Sequence, residues 1–527
     1  MPTDCVDYQS SGFFSKLIID YLDQRDTLKS LYNHYPNIEN FELQIHEKSN
    51  NFHASTRQVL CNALHKQYVD LKISDATQDN ISSLQNINTF TVTTGHQLNL
   101  FTGPLYFIYK IVTTINLSKT LKASYPTFNF VPIYWMATED HDFEEINYFN
   151  FKGKKIKWIR DSNGPVGRMS TEGLDQVFDV FSKDLDLGDD ADFLKNLFKN
   201  GYLQHKNLAD ATRFIANELF GKYGLVIIDG DDTSLKNEFV PILKDELLNR
   251  KSFERVSETA EKLKTYKIQV NPREINLFLI EDKLRERIVF EDQKYKINNT
   301  NLEFSEAEII QMVTDYPEKF SPNVVLRPLY QETILPNLCY IGGGGELAYW
   351  LELKTVFECH KTTFPILMLR NSALVVSNKQ IRKMNSLDVK WNQLFLKKHD
   401  LLASKTKQLS GFDIDFSEQK AFLKLQFENL LVLAATTDKS FLGAVLAQQK
   451  KQLNGLDTLE KRLLKAQKRK FSDALEHISN LQNELFPNNG LQERTCNFSD
   501  FFDATFIEKM CAALNPFSQN FTIIESP

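Results

Sequence analysis

Three short segments carry most of the side chains that could do chemistry, and each follows a stretch typical of a buried β-strand. The segment from Thr138 to Asn147 places Asp140, His141 and Asp142 side by side. An imidazole among carboxylates suits a general base, an amine-binding pocket or a metal site. Because one histidine is present and no standard zinc spacing occurs, we predict catalytic residues and no metal. A solvated acidic loop remains the alternative.

The second segment is the turn after the sequence Thr91-Val-Thr-Thr94. Gly95 permits a tight turn, and His96 and Asn99 can point neutral hydrogen-bond donors at an anion. Loops that leave the carboxyl ends of parallel strands are the usual ligand sites of open sheets. We therefore predict that His96 and Asn99 bind substrate. A simpler interpretation is that His96 only caps the helix that follows.

The third segment is a run of four glycines between Ile341 and Glu346. Successive glycine amides can surround an anion, and the following helix adds its positive end. The run matches neither the Walker pattern nor the GxGxxG fingerprint, so it indicates no nicotinamide cofactor and no ordinary P-loop. We predict that Gly342, Gly343, Gly344 and Glu346 contact substrate, and that this loop shares one anionic group with the His96 turn.

Two arginines next to strand-like segments complete the predicted substrate site. Arg327 and Arg370 could each hold a carboxylate through two parallel hydrogen bonds. The alternative for both is an ordinary structural ion pair.

The elements that must position these residues alternate between strands and helices. This order predicts an α/β fold, with an open and mostly parallel sheet that has helices on its faces. The predicted strands are 88–94, 128–136, 224–229, 337–341 and 364–369, and the predicted helices between them include 104–122 and 346–360. Residues 149–168 and 276–297 alternate apolar and charged side chains, which predicts small antiparallel meanders inserted into this sheet domain.

From about residue 377 glycine and proline become rare, and the composition predicts a long helical hairpin. Its helical stretches are 379–408 and 417–485, with a turn at 410–415. Apolar residues recur there at steps of three and four, as in a helix that packs along its length. We predict a coiled coil that forms a homodimer; an internal two-helix arm is the alternative. The stripe consists of Leu453, Leu456, Leu463, Phe471, Leu475, Ile478, Leu481 and Leu485.

Composition narrows the class of protein. The chain has 527 residues, of which 42% are hydrophobic, and a formal net charge of −6. This charge indicates neither nucleic acid nor an anionic membrane as a partner. No signal peptide and no membrane-spanning stretch is recognisable, so a cytoplasmic protein is expected. The six cysteines form no CxxC pair and indicate mostly buried thiols.

Four quoted segments resemble one known family, that of the bacillithiol biosynthesis cysteine-adding enzymes, which are cysteine ligases. They are TGHQLNLFTGPLYFIYK, VPIYWMATEDHDFEEIN, SPNVVLRPLYQETILPNLCYIGGGGELAYW and LFPNNGLQER. The resemblance spans nearly the whole chain in the same order. It implies a Rossmann-like core with connecting-peptide insertions and a coiled-coil domain used for dimerisation. The implied domains are 1–376 with insertions at about 149–222 and 250–322, then 377–486, then a segment 487–527 that returns to the core.

The same resemblance implies a reaction that joins cysteine to glucosaminyl-malate through an amide bond. A free carboxylate is a poor acyl donor, so activation by ATP is expected, and ATP or ADP is the implied nucleotide. Gln492 and Arg494 match the family segment near a nucleotide pocket, although a sharp turn that closes the hairpin would use the same residues. Asp140 or Asp142 would orient the amine or accept its proton.

Two other functions stay open at the level of sequence. One is a different nucleotide-dependent synthetase or nucleotidyltransferase on the same scaffold, although the turn at His96 lacks the second histidine of an HxGH signature. The other is a coiled-coil protein that binds a metabolite without catalysis.

Overall fold

The computed structural model describes residues 5–526, which form two compact units. The first unit comprises residues 5–9, 13–375 and 492–524. The second comprises residues 10–12, 376–491 and 525–526.

The first unit is built around a five-stranded parallel sheet. The elements in chain order up to β3 are β1 (Cys5–Asp7), α1 (Tyr8–Ser11), α2 (Lys16–Leu22), α3 (Asn40–Asn51), α4 (Ala54–Gln67), α5 (Asp75–Ser83), β2 (Thr89–His96), α6 (Tyr106–Ser124) and β3 (Asn129–Met136). All belong to the first unit except the last two residues of α1. Strand β6 (Val226–Asp229) and helix α11 (Thr233–Asn249) follow a first insertion. After a second insertion come α14 (Arg327–Ile334), β12 (Asn337–Gly342), α15 (Gly344–Trp350), α16 (Lys354–Cys359), β13 (Ile366–Leu369) and β14 (Ala373–Ser377).

The strand order of this sheet is β13-β12-β2-β3-β6, and every neighbouring pair is parallel. Helices cover both faces, so the strands are buried on both sides and are apolar or threonine-rich throughout. The carboxyl ends of β2, β3 and β12 therefore meet at one edge. The predicted Rossmann-like parallel sheet is confirmed.

The first insertion separates β3 from β6. It contains α7 (Phe143–Ile146), β4 (Tyr148–Phe151), β5 (Lys154–Lys157), α8 (Leu174–Asp184), α9 (Asp189–Tyr202) and α10 (Leu208–Phe220). The predicted meander is here a two-stranded hairpin only. Lys152 and Gly153 both have positive φ at its turn, and the chain beyond β5 runs as a loop.

The second insertion carries a five-stranded antiparallel sheet in the order β10-β9-β8-β7-β11, which confirms the meander predicted there. Its elements are α12 (Lys251–Lys262), β7 (Leu277–Glu281), β8 (Leu284–Glu291), β9 (Lys294–Ile297), β10 (Glu303–Phe304), α13 (Glu306–Asp315) and β11 (Phe320–Pro322).

The single helix predicted over 346–360 is two helices, α15 and α16. The chain turns at Leu351–Leu353, where the buried carboxylate of Glu352 accepts a hydrogen bond from the backbone of Gln269. A contact with a distant segment thus lies at the break in a stretch that is helical by local pattern.

The second unit is helical, and the predicted turn at 410–415 lies between two of its helices. The elements are α17 (Asn378–Ser386), α18 (Trp391–Leu394), α19 (Lys398–Leu409), α20 (Ser417–Ala434), α21 (Lys439–Lys470) and α22 (Ser472–Leu485). The stretches predicted to be helical, 379–408 and 417–485, are helical, and each consists of three helices. Asp388 has positive φ and ends α17, and Asp438 caps α21 by accepting hydrogen bonds from the amides of Ser440 and Phe441.

The end of the chain belongs to the first unit as far as residue 524. It contains α23 (Gln492–Thr495), α24 (Phe506–Ala513) and β15 (Asn520–Ser526). Strand β15 pairs with β1 in antiparallel register, with Val6 opposite Phe521.

Candidate active site

A cavity of about 490 Å3 lies at the carboxyl edge of the parallel sheet. We call it the central cavity. Because the turns after β2, β3 and β12 all open at this edge, segments far apart in sequence contribute to one wall. Its lining includes Gly95, His96, Gln97, Tyr106, Lys110, Asp140, Gln269, Val270, Val324, Arg327, Gln331, Tyr340, Gly343, Gly345, Glu346, Tyr349, Arg370 and Arg494.

His96 is the last residue of β2 and lines the central cavity. Its side chain is buried against the rings of Tyr106 and Phe107, and its Nε2 atom has no hydrogen-bond partner among the described residues. Burial lowers the pKa of the imidazole well below its ordinary value, and the charges of Lys110 and Arg370 lower it further. His96 is therefore a neutral donor or acceptor at physiological pH. It does not cap the next helix, since α6 begins at Tyr106.

Asn99 lies outside the central cavity. Its Nδ2 atom donates to the carbonyl of Glu145 at 3.2 Å. Gly103, with φ of +63°, has room for no side chain, because a Cβ there would lie 2.5 Å from the Cβ of Asn99. The contacts of Asn99 thus shape the turn, and the structure does not bring it to the predicted substrate site.

The glycine run contributes only part of its length to the central cavity. Gly342 ends strand β12, and the amide of Gly343 donates to Glu346 Oε2 at 2.8 Å. A Cβ on Gly344 would lie 3.4 Å from Ile18 of helix α2, so this position faces protein. Gly345 has no atom within 4 Å of such a Cβ and lines the cavity. The loop does not wrap an anion with four free amides.

Glu346 is held in a polar network in the wall of the central cavity. Its carboxylate accepts from Lys110 Nζ at 2.6 Å and from the hydroxyl of Tyr340 at 2.8 Å. Lys110 also donates to the carbonyl of Gly95 at 2.7 Å. Burial lowers the pKa of Lys110, and the partner Glu346 opposes that effect. This network ties the turn after β2 to the turn after β12.

Asp140 stands at the border of the central cavity with a second cavity. Its carboxylate accepts from the backbone amide of His141 at 3.0 Å and lies 3.7 Å from Arg285 Nη1. Burial alone would raise the pKa of Asp140. The hydrogen bond from His141 and the charges of Arg327 and Arg285 outweigh burial, and the pKa falls below its ordinary value. Asp140 is therefore ionised at neutral pH.

His141 and Asp142 line the second cavity and not the central one. His141 Nδ1 lies 2.5 Å from Arg285 Nη1, and Asp142 is exposed. The ligand atoms of Asp140, His141 and Asp142 lie within 4.8 Å of one another, a spacing compatible with a metal ion. The Arg285 guanidinium beside them adds a positive charge that opposes the binding of a cation.

The two predicted carboxylate-binding arginines differ in their surroundings. Arg327, at the start of α14, lines both cavities, and its Nε atom is buried without a partner in the described part of the chain. Arg370 is paired with Glu493 at 2.6 Å and donates to the carbonyl of Asn371 and the hydroxyl of Ser372. Arg370 thus has the structural ion pair that was the alternative, although its side chain still lines the central cavity.

The two predicted nucleotide ligands also separate. The side-chain amide of Gln492 makes two hydrogen bonds of 2.9 Å with the backbone of Val375: its Oε1 accepts from the amide and its Nε2 donates to the carbonyl. It is buried and does not face the cavity, whereas Arg494, two residues on, lines it.

Comparison with known proteins agrees with this architecture along the whole chain. Residues 1–371 match the family model described as "Bacillithiol biosynthesis BshC, N-terminal Rossmann-like domain", and residues 373–526 match the "C-terminal coiled-coil domain" of the same family. The chain belongs to the BshC family.

Individual relatives support this assignment. A protein of Flavobacterium psychrophilum is 60% identical over 100% of both chains, and one of Flavobacterium johnsoniae is 59% identical over 99% of this chain and 100% of its own. A protein of Staphylococcus carnosus is 27% identical over 92% of this chain and 93% of its own. Each is named "Putative cysteine ligase BshC". The predicted family is confirmed, and the predicted enzyme class, a ligase, agrees with these names.

In this BshC family member the structure gathers part of the predicted site at the central cavity. The residues brought together are His96, Asp140, Arg327, Gly343, Glu346, Arg370 and Arg494. Those left outside it are Asn99, His141, Asp142, Gly342, Gly344 and Gln492. Within the described chain no helix is both long and apolar enough to cross a membrane.

Among the residues that sequence reasoning missed are two cations, Lys110 of the central cavity and Arg285 of the second cavity. Lys110 is a lone charge within the apolar stretch 105–117, and that contrast could have identified it as a buried, paired group. Arg285 lies in the sequence Leu284-Arg-Glu-Arg287, where alternating charges resemble the exposed face of a meander. Local pattern contains no sign that its side chain is buried.

Proposed function

We propose that the protein joins the carboxyl group of L-cysteine to the amine of glucosaminyl-malate and so forms the amide of the last step of bacillithiol biosynthesis. The proposal rests on the family and on one feature of the site. An ionised carboxylate, Asp140, stands at the border between a cavity with a neutral imidazole and a cavity rich in arginine.

Asp140 has the properties of a group that holds an amine. Its lowered pKa keeps it negative at neutral pH, so it can bind the sugar amine in its ammonium form. The ammonium must give its proton to solvent before the free amine attacks the activated cysteine carboxyl, and the activating phosphoryl or adenylyl group leaves as the amide bond forms. The same lowered pKa makes Asp140 a poor proton acceptor. We therefore assign Asp140 to orienting the amine, one of the two roles expected of it.

His96 has the properties of a neutral hydrogen-bond partner for the acyl group. Its imidazole is uncharged, and its free Nε2 atom leaves one hydrogen bond unmade inside a buried site. A donor that is already in place stabilises negative charge as it develops on the acyl oxygen, because no reorganisation is needed during the reaction.

The positively charged side chains of the central cavity support the binding of a nucleotide there. Arg494 lines the cavity, and Arg370 has a buried Nε atom with no partner in the described chain, so both can hold phosphate oxygens. Gln492 does not fit this role, since both ends of its side-chain amide are used. ATP would supply the activation that turns the cysteine carboxylate into an acyl donor.

We also propose that the protein is a homodimer through the helical unit. Phe427, Ala434 and Val445 form the buried seam between α20 and α21. A second set of apolar side chains on the same two helices is exposed to solvent, and a second copy would cover it. This exposed set is Phe422, Leu425, Leu430, Val432, Leu433, Phe441, Leu446 and Leu459.

One reconstitution tests the reaction. Purified protein is incubated with glucosaminyl-malate and cysteine, with and without ATP and magnesium, and the amide is sought by mass spectrometry. Product that depends on ATP supports the proposal. Binding of the sugar-malate without any product would instead favour a non-catalytic binding protein.

A further inference from the structure

A second cavity of about 410 Å3 adjoins the central one. It lies between the loop after β3 and strands β7 and β8 of the second insertion. The two cavities share Asp140, Gln269, Val270, Val324 and Arg327 in their linings, so they form one continuous cleft. We call the second one the arginine cavity.

The arginine cavity has an excess of positive charge. Arg273, Arg285, Arg287 and Arg327 line it, against only Asp140 and Asp142. Four positive and two negative side chains leave two positive charges uncompensated. Such an excess at a partly buried surface attracts a ligand with the opposite charge.

Arg285 is the buried member of this group. Its side chain is only 3% exposed and lies over the ring of Phe278, with 4.0 Å between guanidinium carbon and ring centre. Nη1 contacts His141, but the buried Nε atom has no partner among the residues that the structure describes. Arg327 likewise has a buried Nε atom without a partner. Burial and the neighbouring charge of Arg327 lower the pKa of Arg285 to about 10.

A buried cation whose N–H group has no hydrogen-bond acceptor destabilises the fold. A bound anion would accept that hydrogen bond and balance the charge. The planar guanidinium offers parallel N–H groups that match a carboxylate. Two such groups in one cavity match a ligand with two carboxylates. A triphosphate suits this cavity less well. It carries more negative charge than the two uncompensated positive charges, and it would lie close to the carboxylates of Asp140 and Asp142.

We propose that the arginine cavity binds the two carboxylates of the malyl group of the amine substrate, with Arg285 and Arg327 as specificity-determining residues; this rests on the proposed function. The position of Asp140 at the border then places the sugar amine next to the central cavity. The second insertion contributes Arg285 from β8, so it takes part in substrate recognition.

Calorimetric binding tests the proposal without needing turnover. The ligands are glucosaminyl-malate and methyl glucosaminide, which has the same amine and no carboxylate. The proteins are the unaltered chain, Arg285→Met, Arg327→Met and the control Arg255→Met. Arg255 is an arginine on α12 that pairs with Glu258 and lines neither cavity. Thermal midpoints show whether each variant folds. Because Arg327 is only half-buried, Arg327→Met should fold and can test the proposal even if Arg285→Met does not fold.

The unaltered protein should bind glucosaminyl-malate at least about tenfold more tightly than methyl glucosaminide, since only the first ligand makes charge-assisted hydrogen bonds to the arginines. Each cavity variant should remove about tenfold of that preference, and Arg255→Met should keep it. An unchanged preference in the variants overturns the proposal. Tripolyphosphate is measured as a third ligand, and the proposal is also overturned if its binding depends on the two arginines while the binding of glucosaminyl-malate does not.

The proposed reaction and the proposed malyl subsite can be disproved independently of each other. Arginine-dependent binding of the malyl substrate with no amide formed from cysteine and ATP would leave the subsite and remove the proposed reaction. Amide formation with the same preference in every variant would leave the reaction and remove the subsite.

Discussion

At the scale of single residues, the charges around Asp140 decide what this carboxylate can do. Asp140→Asn keeps an acceptor for the His141 amide but loses the negative charge that holds the amine. We expect product formation to fall by about 10- to 100-fold, the effect of losing a charge-assisted hydrogen bond. The thermal midpoint should move by only a few degrees. Initial rates and thermal melts measure both, and a large fall in midpoint would indicate a structural role.

His141 belongs to the same loop but should respond differently. Its imidazole contacts Arg285 and lies outside the central cavity, so we expect it to act on substrate binding and not as the catalytic residue predicted from the sequence. We expect His141→Ala to raise the KM for the amine substrate while kcat changes little. A fall in kcat as large as that of Asp140→Asn would restore His141 as a catalytic residue.

Asp229, at the end of β6, makes the fold sensitive to pH. Burial and the neighbouring Asp231 raise its pKa from 3.8 to about 6. Between these values the unfolded chain has lost the proton that the fold retains, so stability falls as pH rises, and the loss is complete above about pH 6. Asp229→Asn should therefore stabilise the protein above pH 6, by about 3 kcal/mol at most. Thermal midpoints at pH 5 and 7.5 check this; an equal change at both values would contradict it.

At the scale of elements, the two middle positions of the glycine run have different neighbours. Gly344→Val should destabilise the fold by about 1–3 kcal/mol, because the added side chain meets Ile18 and Phe14 of the N-terminal segment. Gly345→Val should leave the thermal midpoint close to that of the unaltered protein and reduce activity, because it enters the central cavity. Paired melts and rates separate the two. Equal effects of both substitutions would show that the loop acts as one packing unit.

A buried ion pair holds the loop after β3 to helix α11. Lys236 is fully buried and donates to Glu139 and to the carbonyl of Phe320. Lys236→Met leaves Glu139 buried and unpaired, which should cost about 3–5 kcal/mol and lower activity by displacing Asp140. Adding Glu139→Gln should recover much of the stability. Melts of the single and double variants test this, and additive losses would exclude coupling between the two side chains.

At the scale of the whole molecule, the exposed apolar face of α20 and α21 is the proposed dimer surface. Leu475, once a candidate for that surface, is buried within its own unit, so Leu475→Asp should unfold the unit rather than separate subunits. The double variant Phe422→Glu and Val432→Glu should give a folded monomer, since both side chains are more than half exposed.

Light scattering measures the mass, and Leu187→Glu is the control, because Leu187 is an exposed apolar residue of the first unit. A monomeric unaltered protein would remove the proposal.

The sequence by itself determined the family, the parallel sheet and the loops that form the site. These features depend on local pattern: an apolar strand, then polar residues or glycines, then a helix. The edge at which parallel strands end is the same for all of them, so His96, Asp140 and Gly345 had to open at one edge.

Only the tertiary structure decided which side chains of each loop reach the cavity. The side chains of Asn99 and Gln492 hydrogen-bond to backbone groups, and Gly344 faces helix α2. Arg285 belongs to an insertion almost 150 residues after Asp140. Side-chain direction at a loop depends on what packs against it, and those neighbours are distant in sequence. Burial and pairing, which set the charge state of Asp140 and His96, likewise exist only once the chain has folded.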